Sequence, residues 1–243
     1  MAAAFGWGFL GASSLILGGA AALAWKIPLR VLGLVMAFGS GVLISAVAFE
    51  LVEEAYNTTG QKGGVAGGLA AGSAVFFVGD WLIDRRGGAD RKDSSGKQAG
   101  GSPLAIVLGI VLDGIPESIV LGLTIVTGGA VSAAYLAAVF ISNVPEAFAA
   151  SSGLALAGWR KIRIIGLWLL VSVVSGLSAL LGFSVFDTAG PTVTAFVLSF
   201  AAGAILTMLA DTMMPEAFEH GGKLVGVATT LGFGVAFAIS ALD

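Results

Sequence analysis

The sequence predicts an all-α, polytopic membrane protein of eight transmembrane helices, and three observations lead there. Of 243 residues, 57% are hydrophobic and only 11% charged, with a mean hydropathy of +0.97; a soluble domain carries about a quarter charged residues. The apolar residues gather in windows of about 20, the length that crosses a bilayer as a helix. Polar punctuation between the windows is short, apart from one stretch of Gly, Ser, Asp, Lys and Arg.

Taken in order, the windows place helices at about 5–25, 29–55, 64–84, 103–127, 131–157, 162–186, 191–217 and 222–241, in a single transmembrane domain over 1–243. The first window has no Lys or Arg before it and is long enough to span, so it does not have the form of a cleavable signal. The stretch 85–102, Arg-Arg-Gly-Gly-Ala-Asp-Arg-Lys-Asp-Ser-Ser-Gly-Lys and beyond, reads as a disordered loop. Asp80 and Asp84 close the third helix and are expected to reach water.

Lys and Arg set the expected orientation. Lys26, Arg30, Arg85, Arg86, Arg91, Lys92, Lys97, Arg160, Lys161, Arg163 and Lys223 fall on one side, and Lys62 alone on the other. Positive-inside weighting puts the 85–102 loop in the cytoplasm and both termini outside a plasma (inner) membrane. Trp7, Trp25, Trp81 and Trp159 sit near helix ends, as interfacial aromatics do.

An offset of 162 residues aligns Phe38 with Phe200, Gly41 with Gly203, Glu54-Ala55 with Glu216-Ala217, Gly64-Val65-Ala66 with Gly226-Val227-Ala228, and Gly72 with Gly234. The second and third helices thus match the seventh and eighth. Because the paired helices run in opposite directions, the repeat is inverted, and a 3+2+3 arrangement follows with helices 1–3 related to 6–8. Inverted repeats around a midplane site are a pattern of secondary transporters.

The two remaining helices carry the chemistry. Asp113-Gly-Ile-Pro-Glu117 and Ser142-Asn-Val-Pro-Glu146 each put polar side chains at i and i+4, on one helix face a turn apart. Pro116 and Pro145 cannot donate to the carbonyls of Leu112 and Ile141. Oxygen side chains therefore lie beside freed backbone oxygens at bilayer depth. Burying Asp113, Glu117 and Glu146 as charges costs about 2.5–3.5 kcal/mol each on insertion scales, roughly 8–10 kcal/mol together. No Lys or Arg falls within the helices at that depth, so an internal ion pair is not expected. The expectation is a divalent cation, with proton exchange as its natural companion; the plainer alternative is a protonated, hydrogen-bonded network joining helices. Around this site, Glu50, Glu53 and Glu54 end the second helix, and Asp211, Glu216 and His220 lie towards the end of the seventh. They are candidate entrance and exit groups, or else ordinary solvated helix ends.

Several chemistries are excluded. With no cysteine there are no disulfides, thiolate metal sites or Cys nucleophiles, and the single histidine rules out His clusters and H-E-x-x-H. Phe77-Val-Gly-Asp80 falls one glycine short of the G-x-G-D of intramembrane aspartyl proteases. The chain is read as no enzyme.

At the two Pro-Glu pentads the sequence resembles the ZIP family of divalent metal transporters, which carries H-N-x-P-E-G on its fourth helix and a related Pro-Glu motif on its fifth. Length, helix number, the long loop after helix 3 and the acidic ends of helices 2 and 7 are similar too, so the likeness covers nearly the whole chain. It implies a bound pair of metals between helices 4 and 5, a unit of helices 1, 4, 5 and 6 sliding against 2, 3, 7 and 8, and a homodimer. Position by position, the family's histidine is Asp113, its asparagine Gly114, and its shared glutamates Glu117 and Glu146; Ser142 and Asn143 are the helix-5 ligand positions. The family's frequent helix-6 glutamate corresponds to Ser175. These departures thin a second metal site and leave one with only oxygen ligands: Asp113, Glu117, Glu146 and Asn143 or Ser142. Hard ligands admit Mn²⁺, Fe²⁺, Co²⁺ or even Mg²⁺ beside zinc, which the resemblance puts first; Cd²⁺ is a further candidate cargo. The expected function is inward movement of a divalent metal ion by alternating access, with no bound cofactor, the bilayer as surroundings and no nucleic-acid partner. The alternative is a ZIP-like protein that carries no metal: a proton-linked solute carrier or a non-transporting scaffold.

Overall fold

Apolar windows in a bilayer leave helix as the economical way to satisfy backbone groups within one segment, and the chain folds accordingly. The computed structural model describes residues 1–129 and 131–241, and among these no strand occurs. Seven stretches are long and apolar enough to span a membrane: Ala2–Ala24, Leu29–Thr59, Lys62–Gly88, Pro103–Val126, Ala133–Leu156, Lys161–Phe186 and Pro191–Ser240. The last is 50 residues long and is broken at Gly222, whose φ of 61° lets the chain turn.

The helices are α1 (Ala2–Ala24), α2 (Leu29–Ala46), α3 (Glu54–Thr59), α4 (Lys62–Ile83), α5 (Pro103–Gly128), α6 (Ala133–Leu156), α7 (Lys161–Phe186), α8 (Pro191–Met208), α9 (Met214–Gly221) and α10 (Val225–Ser240). α2 runs into α3 through a π-helical stretch, Val47–Glu53, and α8 into α9 through another, Leu209–Met213. Widened turns of this kind are frequent where helices carry function. Composition and hydropathy carry no sign of them.

The most extensive pairings fall into two groups: α1 with α6 and α7, and α5 with α7; then α2 with α10, and α4 with α8. Glycine decides how close the second group comes. A Cβ at Gly41 would land on the Thr229 carbonyl and one at Gly232 on that of Phe38; at Gly72 it would land on Phe200, and at Gly203 on Leu69. The α2·α10 and α4·α8 contacts are thus the same kind of glycine-mediated backbone approach. The 162-residue offset carries Phe38 onto Phe200 and Gly41 onto Gly203, but their partners correspond two residues earlier, Leu69 to Thr229 and Gly72 to Gly232. The two contacts therefore match with a shift in register, and Gly234, aligned with Gly72 in sequence, meets nothing within 4 Å.

The segment between α4 and α5 corrects an expectation. Residues 85–102 do not form a loose loop: a π-helical turn over Asp84–Gly88, tight turns through Lys92 and a short 3-10 helix at Lys97–Gly100 fold it back against the bundle. Arg91 is fully buried, and Lys92, Asp93, Ser94 and Gln98 nearly so. Its composition is that of a solvated loop, but its partners are polar groups far away along the chain, which composition does not report.

Candidate functional site

α5 and α6 start at hydroxyl caps, Ser102 accepting from the Ala105 N–H and Ser132 from the Tyr135 N–H. Both pentads therefore lie in mid-helix, with Pro116 inside α5 and Pro145 inside α6. One cavity gathers Asp113, Gly114 and Glu117 of α5, Asn143 and Glu146 of α6, and Ser175 of α7. Ala12 and Leu15 of α1 and Trp168 of α7 supply part of its apolar wall. The free space is about 10 Å³, room for about one water.

Asp113, Glu117 and Glu146 are all buried, and their counter-charge is the second correction. Arg91 donates from Nε to Asp113 Oδ2 at 2.9 Å and from Nη2 to Oδ1 at 3.0 Å, and also bonds Asp80 through Nη2 and Asp84 through Nη1. Lys92 Nζ lies 3.2 Å from Asp113 Oδ2 and 3.0 Å from Glu146 Oε1. Two cations therefore reach the site from outside the helices, and the ion pair not expected from the sequence is present. Asp80, expected to reach water, is buried under Arg91. Burial by itself would lower the Lys92 ammonium, but Asp113 and Glu146 more than offset it and raise it above its ordinary value.

The charges do not balance. Asp80, Asp113, Glu117 and Glu146 are four buried carboxylates against the two buried cations, with Asp84 at the margin, its side chain 35% exposed. Glu117 takes no part in the ion pairs, and its Oε1 has no hydrogen-bond partner among the described residues. The Tyr135 hydroxyl is also buried without one. No group of three or more His, Asp or Glu side chains able to hold a metal ion occurs among the described residues.

The other predicted residues separate. Asn143 Nδ2 donates to the Gly11 carbonyl at 3.4 Å, holding α6 to α1. Ser142 does not line the cavity: its hydroxyl donates to the Val139 carbonyl, and its backbone packs beside Gly39 of α2. Glu50 accepts from Ser240 at 2.6 Å and from Ser132 at 2.8 Å, so it ties α10 and the start of α6 to the π-helical stretch after α2. Glu53 and Glu54 are exposed in an open cleft with Asn57. Asp211 is exposed. Glu216, expected at a mouth, is instead buried: it accepts from the Ser94 N–H and hydroxyl at 2.9 and 2.6 Å and meets His220 Nε2 at 3.1 Å.

Sequence reading missed Arg91, Lys92, Ser94 and Asp80. One signal was available: uncompensated carboxylates in an apolar helix require a counter-charge, and the nearest cations before Asp113 are those of 85–97. No protein-family model matches the chain, and no curated protein matches its sequence.

Proposed function

We propose that the protein is a membrane carrier moving a divalent metal ion towards the cytoplasm by alternating access, with Asp113, Glu117 and Glu146 as oxygen ligands. The observation that carries this reading is the surplus of buried carboxylates over buried cations, with Glu117 Oε1 unpartnered in the same cavity. Two uncompensated negative charges at bilayer depth are met by one divalent ion or by protons. An all-oxygen set suits Mn²⁺, Fe²⁺ or Co²⁺ as well as the zinc that the ZIP resemblance puts first.

Pro191–Ser240 is long enough to be two spans on either side of Gly222, and we read the resulting eight as a 3+2+3 order with an inverted repeat. The glycine contacts of α2·α10 and α4·α8, matched with a shift in register, support that repeat. The most extensive pairings, among α1, α5, α6 and α7 on one side and α2·α10 and α4·α8 on the other, support two bodies that slide past one another along the α2·α6 and α5·α8 contacts. We read the carrier as a homodimer in the plasma membrane with both termini outside, on the ZIP resemblance and on the placement of Lys and Arg.

A second reading is favoured by the ion pairs themselves. Arg91 and Lys92 serve as counter-charges to Asp113 and Glu146, as a solute carrier or scaffold that binds no metal would require. Uptake of Mn²⁺ into proteoliposomes distinguishes the two. The carrier reading expects uptake that Glu117→Gln and Glu146→Gln abolish while the folded protein persists. Undiminished uptake by both variants, or none by the wild type, contradicts it.

A further inference from the structure

Lys92 separates two spaces. Its ammonium meets Asp113 and Glu146, which line the inner cavity, while its side chain lines a second cavity of about 140 Å³ with Asp90, Lys97, Asp211 and Glu219. A cation leaving the carboxylates in that direction meets Lys92 first and then an acidic vestibule. The inner cavity has room for about one water, and two of the carboxylates that line it, Asp113 and Glu146, are already engaged by the tethered cations.

The segment carrying them is seated in a groove made for it. A Cβ at Gly109 of α5 would strike the Arg91 side chain, and one at Gly153 of α6 the Asp93 carbonyl and the Gln98 amide. Gly96 turns with φ of 97°, a conformation side chains disfavour. A latch closes the far end: Ser94 on Glu216, and Lys97 on Glu219 at 3.2 Å. No residue of 84–102 belongs to any of the three apolar clusters. The segment is therefore held by charge and hydrogen bonds, the forces with which a divalent ion competes.

Resting on the reading of the site as a divalent-cation carrier, we propose that residues 89–98 form a cytoplasmic gate in which Arg91 and Lys92 occupy the cargo's place, and that cargo binding expels the segment. With cargo absent, the tethered cations neutralise the site and close the exit. When a divalent ion takes Asp113 and Glu146, Lys92 loses both partners, and the segment withdraws towards the vestibule.

Hydrogen exchange of the unmodified protein, with and without saturating Mn²⁺, tests this beside equilibrium dialysis of Mn²⁺. Binding to a rigid site slows exchange, whereas the gate predicts that bound Mn²⁺ speeds the amides of 89–98 by about tenfold or more while slowing those around 113–117. In Lys92→Gln the same amides are expected to exchange fast without metal, and Mn²⁺ to bind more tightly. Stoichiometric Mn²⁺ with unchanged or slower exchange at 89–98 overturns the gate and leaves the carrier reading standing. Absence of Mn²⁺ binding in wild type and Lys92→Gln alike overturns that reading, and the gate with it.

Discussion

Arg91 grips Asp113 with two nitrogens, Nε 2.9 Å from Oδ2 and Nη2 3.0 Å from Oδ1, with both side chains buried. A paired fork of this kind is the strong form of the carboxylate–guanidinium contact. Removing one partner strands the other in an apolar bundle, at a cost of about 3–5 kcal/mol. Arg91→Ala should therefore lower the melting temperature of the detergent-solubilised protein sharply, and Asp113→Asn in the same chain should restore part of the loss. Strictly additive losses in the double variant would show that the pair is not coupled.

Ser94 gives Glu216 two hydrogen bonds, from its N–H and its hydroxyl. Ser94→Ala keeps the first and loses the second, and a bond to a charged acceptor contributes about 1.5–3 kcal/mol. The chain has no cysteine, so a lone probe at Ser95→Cys reports the segment cleanly. Maleimide labelling there should be faster with Ser94→Ala than without it; equal rates would remove Glu216 as the anchor.

Acid should loosen the same segment. Burial pushes the Asp93 carboxyl up, but hydrogen bonds from the Lys97 and Ser95 N–H groups, the Ser95 hydroxyl and the Lys97 ammonium outweigh it and hold the group below its ordinary value. A depressed carboxylate stabilises the fold above its unfolded value, about 3.9, and loses that contribution as pH falls through the folded one. Labelling at Ser95→Cys is confounded by loss of thiolate at low pH, so the measurement is proteolysis at 85–102 by an acid-active protease. Cleavage should rise as pH drops below about 4, and Asp93→Asn should show the higher cleavage already at pH 5.

Close helix approach makes a contrast within α4. A Cβ at Gly72 falls on the Phe200 carbonyl, whereas one at Gly67 meets nothing within 4 Å. Gly72→Ala should cost about 1–3 kcal/mol or more, because two backbones must part. Gly67→Ala should be neutral or stabilising by up to about 1 kcal/mol through helix propensity. Melting temperatures of the two variants decide it; a tolerated Gly72→Ala would refute the tight α4·α8 contact.

Much of this was legible from the sequence because it is written locally. Apolar windows marked the spanning stretches, and the i, i+4 spacing of Asp113 with Glu117 placed both on the face where Asn143 and Glu146 meet them. Ser175 was found by the resemblance alone and does line the cavity. What escaped depends on distant partners. Arg91 and Lys92 stand in a run of Gly, Ser and charge that looks solvated, and only Asp113, 22 residues away from Arg91, and Glu146 make their burial favourable. Glu216 looked like a solvated helix end because Ser94, its partner, is 122 residues distant. The π-helical stretches around Glu50 and Asp211 carry no composition signal.

The measurement that bears most directly on the central claim is equilibrium dialysis of Mn²⁺ against the purified protein and Glu117→Gln at neutral pH. Glu117 is outside the Arg91 and Lys92 ion pairs, so its substitution leaves them in place and removes a ligand oxygen. The account predicts saturable binding by the wild type, weakened by roughly 100-fold in the variant and weakened in both as acid protonates the carboxylates. No saturable binding by the wild type, or equal affinity in Glu117→Gln, would contradict it.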